Sequence, residues 1–196
     1  MYCEGRHRPL IRGKWHCLCS ATAVYYFWVT PYSSVGTPTA VVVYLAHIAS
    51  AVYHTVPVSR PTEIILQKID YITVNAYIAG AVFPMALLAF PGPGYVLAGT
   101  AGCIVVWNGV DIGRSKYHIA RPFLILAAIV PFIPFIATSL TAYELGRFVA
   151  AVASLVCGGT LMVLYDCFDL YHSFSVVCFV CVMQMNDSIV GRLGSC

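Results

Sequence analysis

The chain has 196 residues, 60% of them hydrophobic and 10% charged, with a formal net charge of +3. Its mean hydropathy is +0.81, whereas soluble domains carry about 25% charged residues. A water-soluble globular fold is thereby excluded, and lipid must be the solvent for most of the surface. The small charge, with no basic face of the kind that tracks a phosphate backbone, also excludes nucleic-acid binding.

Residues 1–14 form a basic segment, MYCEGRHRPLIRGK, ahead of an apolar run. The arrangement has the outline of a signal peptide, but no small-residue cleavage site stands out and further apolar runs follow, so a retained first membrane helix is expected. Seven apolar segments are then drawn in chain order, each close to the roughly 20 residues that a spanning helix needs. They are Trp15–Tyr32, Pro38–Val56, Ile69–Phe90, Tyr95–Val110, Pro122–Leu140, Gly146–Tyr165 and Leu170–Met185. A PGPG turn at Pro91–Gly94 separates the third from the fourth, and Pro131 and Pro134 are expected kink points in the fifth.

The basic residues orient these segments. With the N-terminus in the cytoplasm, the inside segments hold Arg6, Arg8, Arg12, Lys14, Arg60, Lys68, Arg114, Lys116 and Arg121, and the outside segments hold only Arg147 and Arg192. That asymmetry follows the positive-inside rule. The expected fold is therefore all-α, an integral membrane bundle of seven transmembrane helices with a cytoplasmic N-terminus. Residues 1–14 are its cytoplasmic segment, 15–190 its membrane domain and 191–196 a short C-terminal tail. The expected location is the cell membrane or an endomembrane.

The nine cysteines do not read as a disulfide framework. Cys103, Cys157, Cys178 and Cys181 lie inside apolar runs, where cysteine behaves as a small hydrophobe. The Asn186-Asp187-Ser188 sequence matches a glycosylation acceptor but lies too near a membrane end to be used as one.

Ionisable residues at membrane depth are expensive and need a reason. In this topology His54 ends the second span, Asp70 opens the third and His172 begins the seventh, all near the cytoplasmic leaflet. Ser50 lies one helical turn deeper than His54 on the same face, and Asp169 is one turn before His172. Imidazoles with a carboxylate suit Zn²⁺. A carboxylate nearby takes the proton from a metal-activated water, and a serine hydroxyl orients that water or a substrate oxygen. Ser50, His54, Asp70 and His172 are thus read as a metal-centred site, against the bland alternative of polar residues solvated at an interface. His47 shares the face of Ser50 and His54 but sits about 10 Å from His54 along the helix, so it is expected to make an interhelical hydrogen bond rather than bind the same metal.

Ser50-Ala-Val-Tyr-His54, then Asp70 and Ile78-Ala-Gly80 with Pro84, resembles the haemolysin III family. That family belongs with the adiponectin and progestin receptors and, more distantly, the alkaline ceramidases. The resemblance implies a seven-helix bundle with zinc near the cytoplasmic side. It makes His54 a zinc ligand, Asp70 the residue that holds or deprotonates the metal's water, and Ser50 its support. Two further ligands are expected from His-x-x-x-His at the start of the seventh helix. The chain departs from that pattern: His172 is present, but Phe168 or Val176, depending on register, stands where the other histidine belongs. Asp169 or Asp70 is then the candidate to complete the set. The activity this implies is hydrolysis of a lipid amide or ester, with membrane lipids or a lipid-like small molecule as partners. The alternative is a non-catalytic, receptor-like or lipid-sensing protein with a degenerate site. Pore formation has little support, because the spans show no polar stripe.

Overall fold

The computed structural model describes residues 36–111, 122–165 and 168–193, together with Ala21 and Tyr25. The first expected span therefore lies outside the described residues, apart from Ala21 and Tyr25, which are helical. The described residues are nearly all helical, with no strand among them. Helix α1 is Gly36–Thr55 and α2 is Arg60–Pro84, prolonged by a π-helical turn, Met85–Ala89. Helix α3 is Pro91–Asp111. Helices α4, Pro122–Ile129, and α5, Ile133–Ser139, are the two halves of one apolar rod. Helices α6, Ala142–Tyr165, and α7, Phe168–Leu193, complete the bundle.

Among the described residues, four helical stretches are long and apolar enough to cross a membrane: Arg60–Ala89, Pro91–Val110, Ala142–Leu161 and Ser173–Leu193. Val41–Thr55 and Phe123–Ser139 are shorter apolar helices. Length and composition thus fit an all-α, multi-pass membrane protein.

The boundaries differ from expectation in three places, each for a local reason. The polar stretch before Asp70 is mostly helix, since only Val56–Ser59 separates α1 from α2. Pro61 in the first turn and Glu63 close behind it suit a helix start, where a missing N–H costs nothing and a negative charge meets the positive end of the dipole. The PGPG sequence is likewise the first turn of α3 rather than a separate turn, and the chain breaks instead at Phe90 (φ −144°, ψ 68°). Helix α7 continues past Met185 to Leu193, because Ser188 and Arg192 find partners on α6. The expected kink in the fifth span is present as a 3₁₀ turn, Val130–Phe132, centred on Pro131.

Helix α2 is the central element. From Tyr77 to Val82 every residue is buried, so this stretch meets protein on all sides rather than lipid. Small residues make that possible: at Gly80 the backbone comes close enough to α1 for Thr39 Oγ1 to donate to the Gly80 carbonyl at 2.9 Å. Close approach of backbones is the main source of helix association in lipid, where apolar side chains gain little by leaving the solvent. At the Phe90 corner, Gly94 N donates to Phe90 O at 2.8 Å, and a Cβ on Gly94 would overlap the Ala86 carbonyl. One apolar core joins Val43, Tyr77, Ile78, Phe179 and Val182, and a second joins Met85, Leu97, Ile129, Met185 and Ile189.

Two further polar links among the described residues fasten the bundle. Asn75 on α2 donates to Tyr71 O at 2.8 Å and accepts from Asn108 on α3 at 3.1 Å, both amides being buried. At the far end of α7, Arg192 forks onto Glu144 of α6, with Nε to Oε1 at 3.3 Å and Nη2 to Oε2 at 2.7 Å.

Candidate functional site

Helices α1 and α2 form a tight antiparallel hairpin, and its geometry builds the site. His54 is the penultimate residue of α1. Asp70 lies ten residues into α2, about 15 Å along that helix at 1.5 Å per residue. Because α2 starts well beyond the end of α1, Asp70 is brought level with His54 rather than standing at a helix start. The two side chains are buried, and His54 Nε2 lies 4.0 Å from Asp70 Oδ2. Ser50, one turn back along α1 and also buried, hydrogen-bonds the Asp70 carboxylate. The other carboxylate oxygen, Oδ1, is buried without a hydrogen-bond partner among the described residues. Ser50, His54 and Asp70 therefore converge.

Helix α7 packs against both α1 and α2. Its residue Tyr171 lies within electrostatic reach of Asp70, so the first turns of α7 approach the same site. Asp169 and His172 belong to those turns, but their side chains lie outside the described residues.

The donor chemistry fits a metal ion. A separation of 4.0 Å is too long for a hydrogen bond between His54 and Asp70. It is short enough for one ion about 2.0–2.2 Å from each atom. The partnerless Oδ1 is a further acceptor that burial would otherwise leave at a cost. Among the described residues no group of three or more His, Cys, Asp and Glu side chains converges in this way, so His54 and Asp70 form an incomplete set by themselves.

His47 does not join the site. Its Nδ1 donates to Val43 O within α1 at 2.9 Å. Its ring lies edge-on to Tyr77 at 6.0 Å and tilted against Phe179 at 5.9 Å, so it contributes to interhelical packing one level deeper. Asn186, the acceptor position of the glycosylation motif, is 2% exposed and inaccessible to modification in the folded protein.

Several polar residues of consequence escaped the sequence reading. Tyr53 packs edge-on against His54 with ring centroids 4.5 Å apart and fixes the imidazole plane, yet in sequence it is one more aromatic in an apolar run. Thr141 and Glu144 form a reciprocal capping box at the start of α6, with Thr141 N to Glu144 Oε2 at 2.8 Å and Glu144 N to Thr141 Oγ1 at 3.3 Å. The Thr-x-x-Glu spacing is a readable signal for that box.

No family model, curated protein or solved structure matches the chain.

Proposed function

We propose that the chain is a seven-span membrane protein with a cytoplasmic N-terminus and a zinc site near the cytoplasmic face, and that it hydrolyses a lipid amide or ester. The likeness of Ser50–Pro84 to the haemolysin III pattern suggests this reading. The single observation that carries it is the convergence of Ser50, His54 and Asp70, with one Asp70 oxygen lacking a partner among the described residues.

His54 would hold the metal from the α1–α2 hairpin, His172 and Asp169 would complete the set from α7, and Asp70 would face the metal's water. Zinc bound there supplies Lewis-acid polarisation of the scissile carbonyl and lowers the pKa of water. Asp70 accepts the proton from the attacking water and returns it to the departing amine or alcohol, so the C–N or C–O bond breaks as the new C–O bond forms. Ser50 holds the Asp70 carboxylate in place through its hydrogen bond. Tyr53 keeps the His54 ring from turning away.

A second reading has its own observation. With Phe168 or Val176 in place of a histidine, the protein is a lipid-sensing relative that binds without turnover.

The test is metal analysis of the purified protein combined with release of fatty acid from N-acyl and O-acyl lipids in mixed micelles. Zinc near one equivalent with turnover supports the hydrolase. A full equivalent of zinc without turnover supports the sensor. Zinc below about a tenth of an equivalent, unchanged in His54→Ala, removes the hydrolase and leaves the degenerate-site reading. Orientation is tested with a membrane-impermeant maleimide on sealed vesicles, against a background depleted of native cysteines. Arg60→Cys should react from the cytoplasmic side and Gly191→Cys from the other.

A further inference from the structure

Helix α7 brings an aromatic residue, Tyr171, to the Asp70 carboxylate. Tyr171 lies in the first turn of α7 and is half-buried. Its ring is seated by a glycine on α6: a Cβ built on Gly158 would lie 3.4 Å from Tyr171 Cδ2 and 2.9 Å from Phe174 Cβ. Only a residue without a side chain lets α6 come that near to this face of α7. With one edge of the ring against α6, the hydroxyl interacts electrostatically with the Asp70 carboxylate on α2. The ring thus spans the space between those two helices, and its hydroxyl also interacts with Tyr77 and Cys178 in the bundle interior.

Asp70 is therefore met by Ser50 and His54 from α1 and by Tyr171 from α7. The Ser50 hydroxyl is engaged by the carboxylate. The Tyr171 hydroxyl stands near the same carboxylate without donating to its Oδ1. A donor in that position can meet a substrate oxygen delivered beside Asp70. A phenol also suits the role, being a more acidic donor than a serine hydroxyl while keeping its proton at neutral pH.

We infer that the Tyr171 hydroxyl is the hydrogen-bond donor to the substrate's carbonyl oxygen in this site, stabilising the negative charge which that oxygen gains when water attacks. The inference rests on the reading of the chain as a lipid hydrolase and adds to it a residue from α7. The water oxygen bonds to the carbonyl carbon, the C=O π pair moves onto oxygen, and Asp70 takes a proton from the water. The Tyr171 proton stays on its own oxygen and only strengthens its hydrogen bond. As the pair returns, the C–N or C–O bond breaks and the amine or alcohol leaves with the proton from Asp70. A donor so placed binds the tetrahedral state more tightly than the planar substrate, so its loss lowers kcat rather than raising KM.

The test compares wild type with Tyr171→Phe, which keeps the ring on Gly158 and removes only the hydroxyl. Each is measured for hydrolysis of N-acyl and O-acyl lipids in mixed micelles, for zinc content, and for calorimetric binding of a phosphonate analogue of the same lipid. The kcat of Tyr171→Phe should fall by roughly 10²–10³ with KM within about twofold, and its zinc content should equal that of wild type. The phosphonate, whose charged oxygen takes the place of the oxyanion, should bind roughly tenfold or more weakly. Tyr77→Phe, which removes a hydroxyl deeper in the bundle, should match wild type in all three. Undiminished kcat and phosphonate affinity in Tyr171→Phe remove this proposal and leave the hydrolase reading standing. Zinc lost together with kcat makes Tyr171 a support of the metal site and overturns the proposal, as does an equal loss of kcat in Tyr77→Phe. Wild type without turnover removes the hydrolase reading itself, and the proposal with it.

Discussion

His54 and Asp70 face each other across the α1–α2 hairpin with Nε2 and Oδ2 4.0 Å apart, both buried. At that separation the two do not hydrogen-bond each other. Ser50 supplies one hydrogen bond to the carboxylate, and Oδ1 has no partner among the described residues. The proposed zinc ion would give that oxygen a partner.

Replacing Asp70 by Asn keeps the volume and removes the negative charge. Zinc content should fall below about a tenth of an equivalent in His54→Ala and drop markedly in Asp70→Asn, as measured by atomic emission on purified protein. Turnover in Asp70→Asn should fall by roughly 10²–10⁴, the usual contribution of a general base. Stripping zinc from wild type with a chelator should lower its melting temperature, and added zinc should restore it, since a ligand bound only by the folded state stabilises that state.

The missing histidine of the seventh helix is testable by restoring it. Phe168→His or Val176→His should tighten zinc binding roughly tenfold or more, read by competition with a fluorescent chelator, because a two-histidine site gains a third nitrogen donor. Only the variant in the native register should gain, so the pair also decides whether His172 is the first or the second histidine of the motif.

Asn108 Nδ2 donates to Asn75 Oδ1 at 3.1 Å between α2 and α3. Asn108→Ala removes that donor and leaves a buried acceptor, for an expected loss of about 0.6–2 kcal/mol, the range for interhelical hydrogen bonds in membranes. Thermal unfolding in detergent should show this for Asn108→Ala and a smaller loss for Asn108→Asp, whose protonated form keeps a donor.

Arg192 and Glu144 bind α7 to α6 through a two-pronged contact, and Arg192 Nη2 also reaches Ser139 O at 3.3 Å. Arg192→Lys keeps the charge but cannot reproduce the fork. It should lose most of the stability that Arg192→Ala loses, about 1–2 kcal/mol after allowance for a partly exposed guanidinium. Glu144→Ala should cost more than either, because it also removes the capping box on Thr141.

Gly94→Ala should be among the most damaging single changes, since its methyl group would meet the Ala86 carbonyl, a backbone atom that cannot swing aside. Overpacking of this kind costs about 1–3 kcal/mol. Gly99→Ala, five residues on with nothing near the added methyl group, is the matched control and should be neutral or slightly stabilising in α3.

The sequence by itself determined the solvent and the class of fold. Sixty per cent hydrophobic residues and 10% charged ones point to lipid, where backbone groups find partners only within helices or closed barrels, and the long continuous apolar runs select helices. It also marked Ser50, His54 and Asp70, because an ionisable residue at membrane depth is costly enough to stand out against any apolar run. Pro131 announced the 3₁₀ break for an equally local reason, the missing N–H.

The tertiary structure decided what pairing decides. Sequence spacing placed His54 and Asp70 at one end of the bundle, but it could not show that α2 begins at Arg60 or that the two side chains come within 4.0 Å, since that depends on how two helices align side by side. Nor could it show that Asn75 meets Asn108, or that Glu144 meets Arg192. Each of these residues reads alone as one polar group in an apolar run. Its partner lies on another helix, and the partnership exists only once close packing has fixed which faces touch.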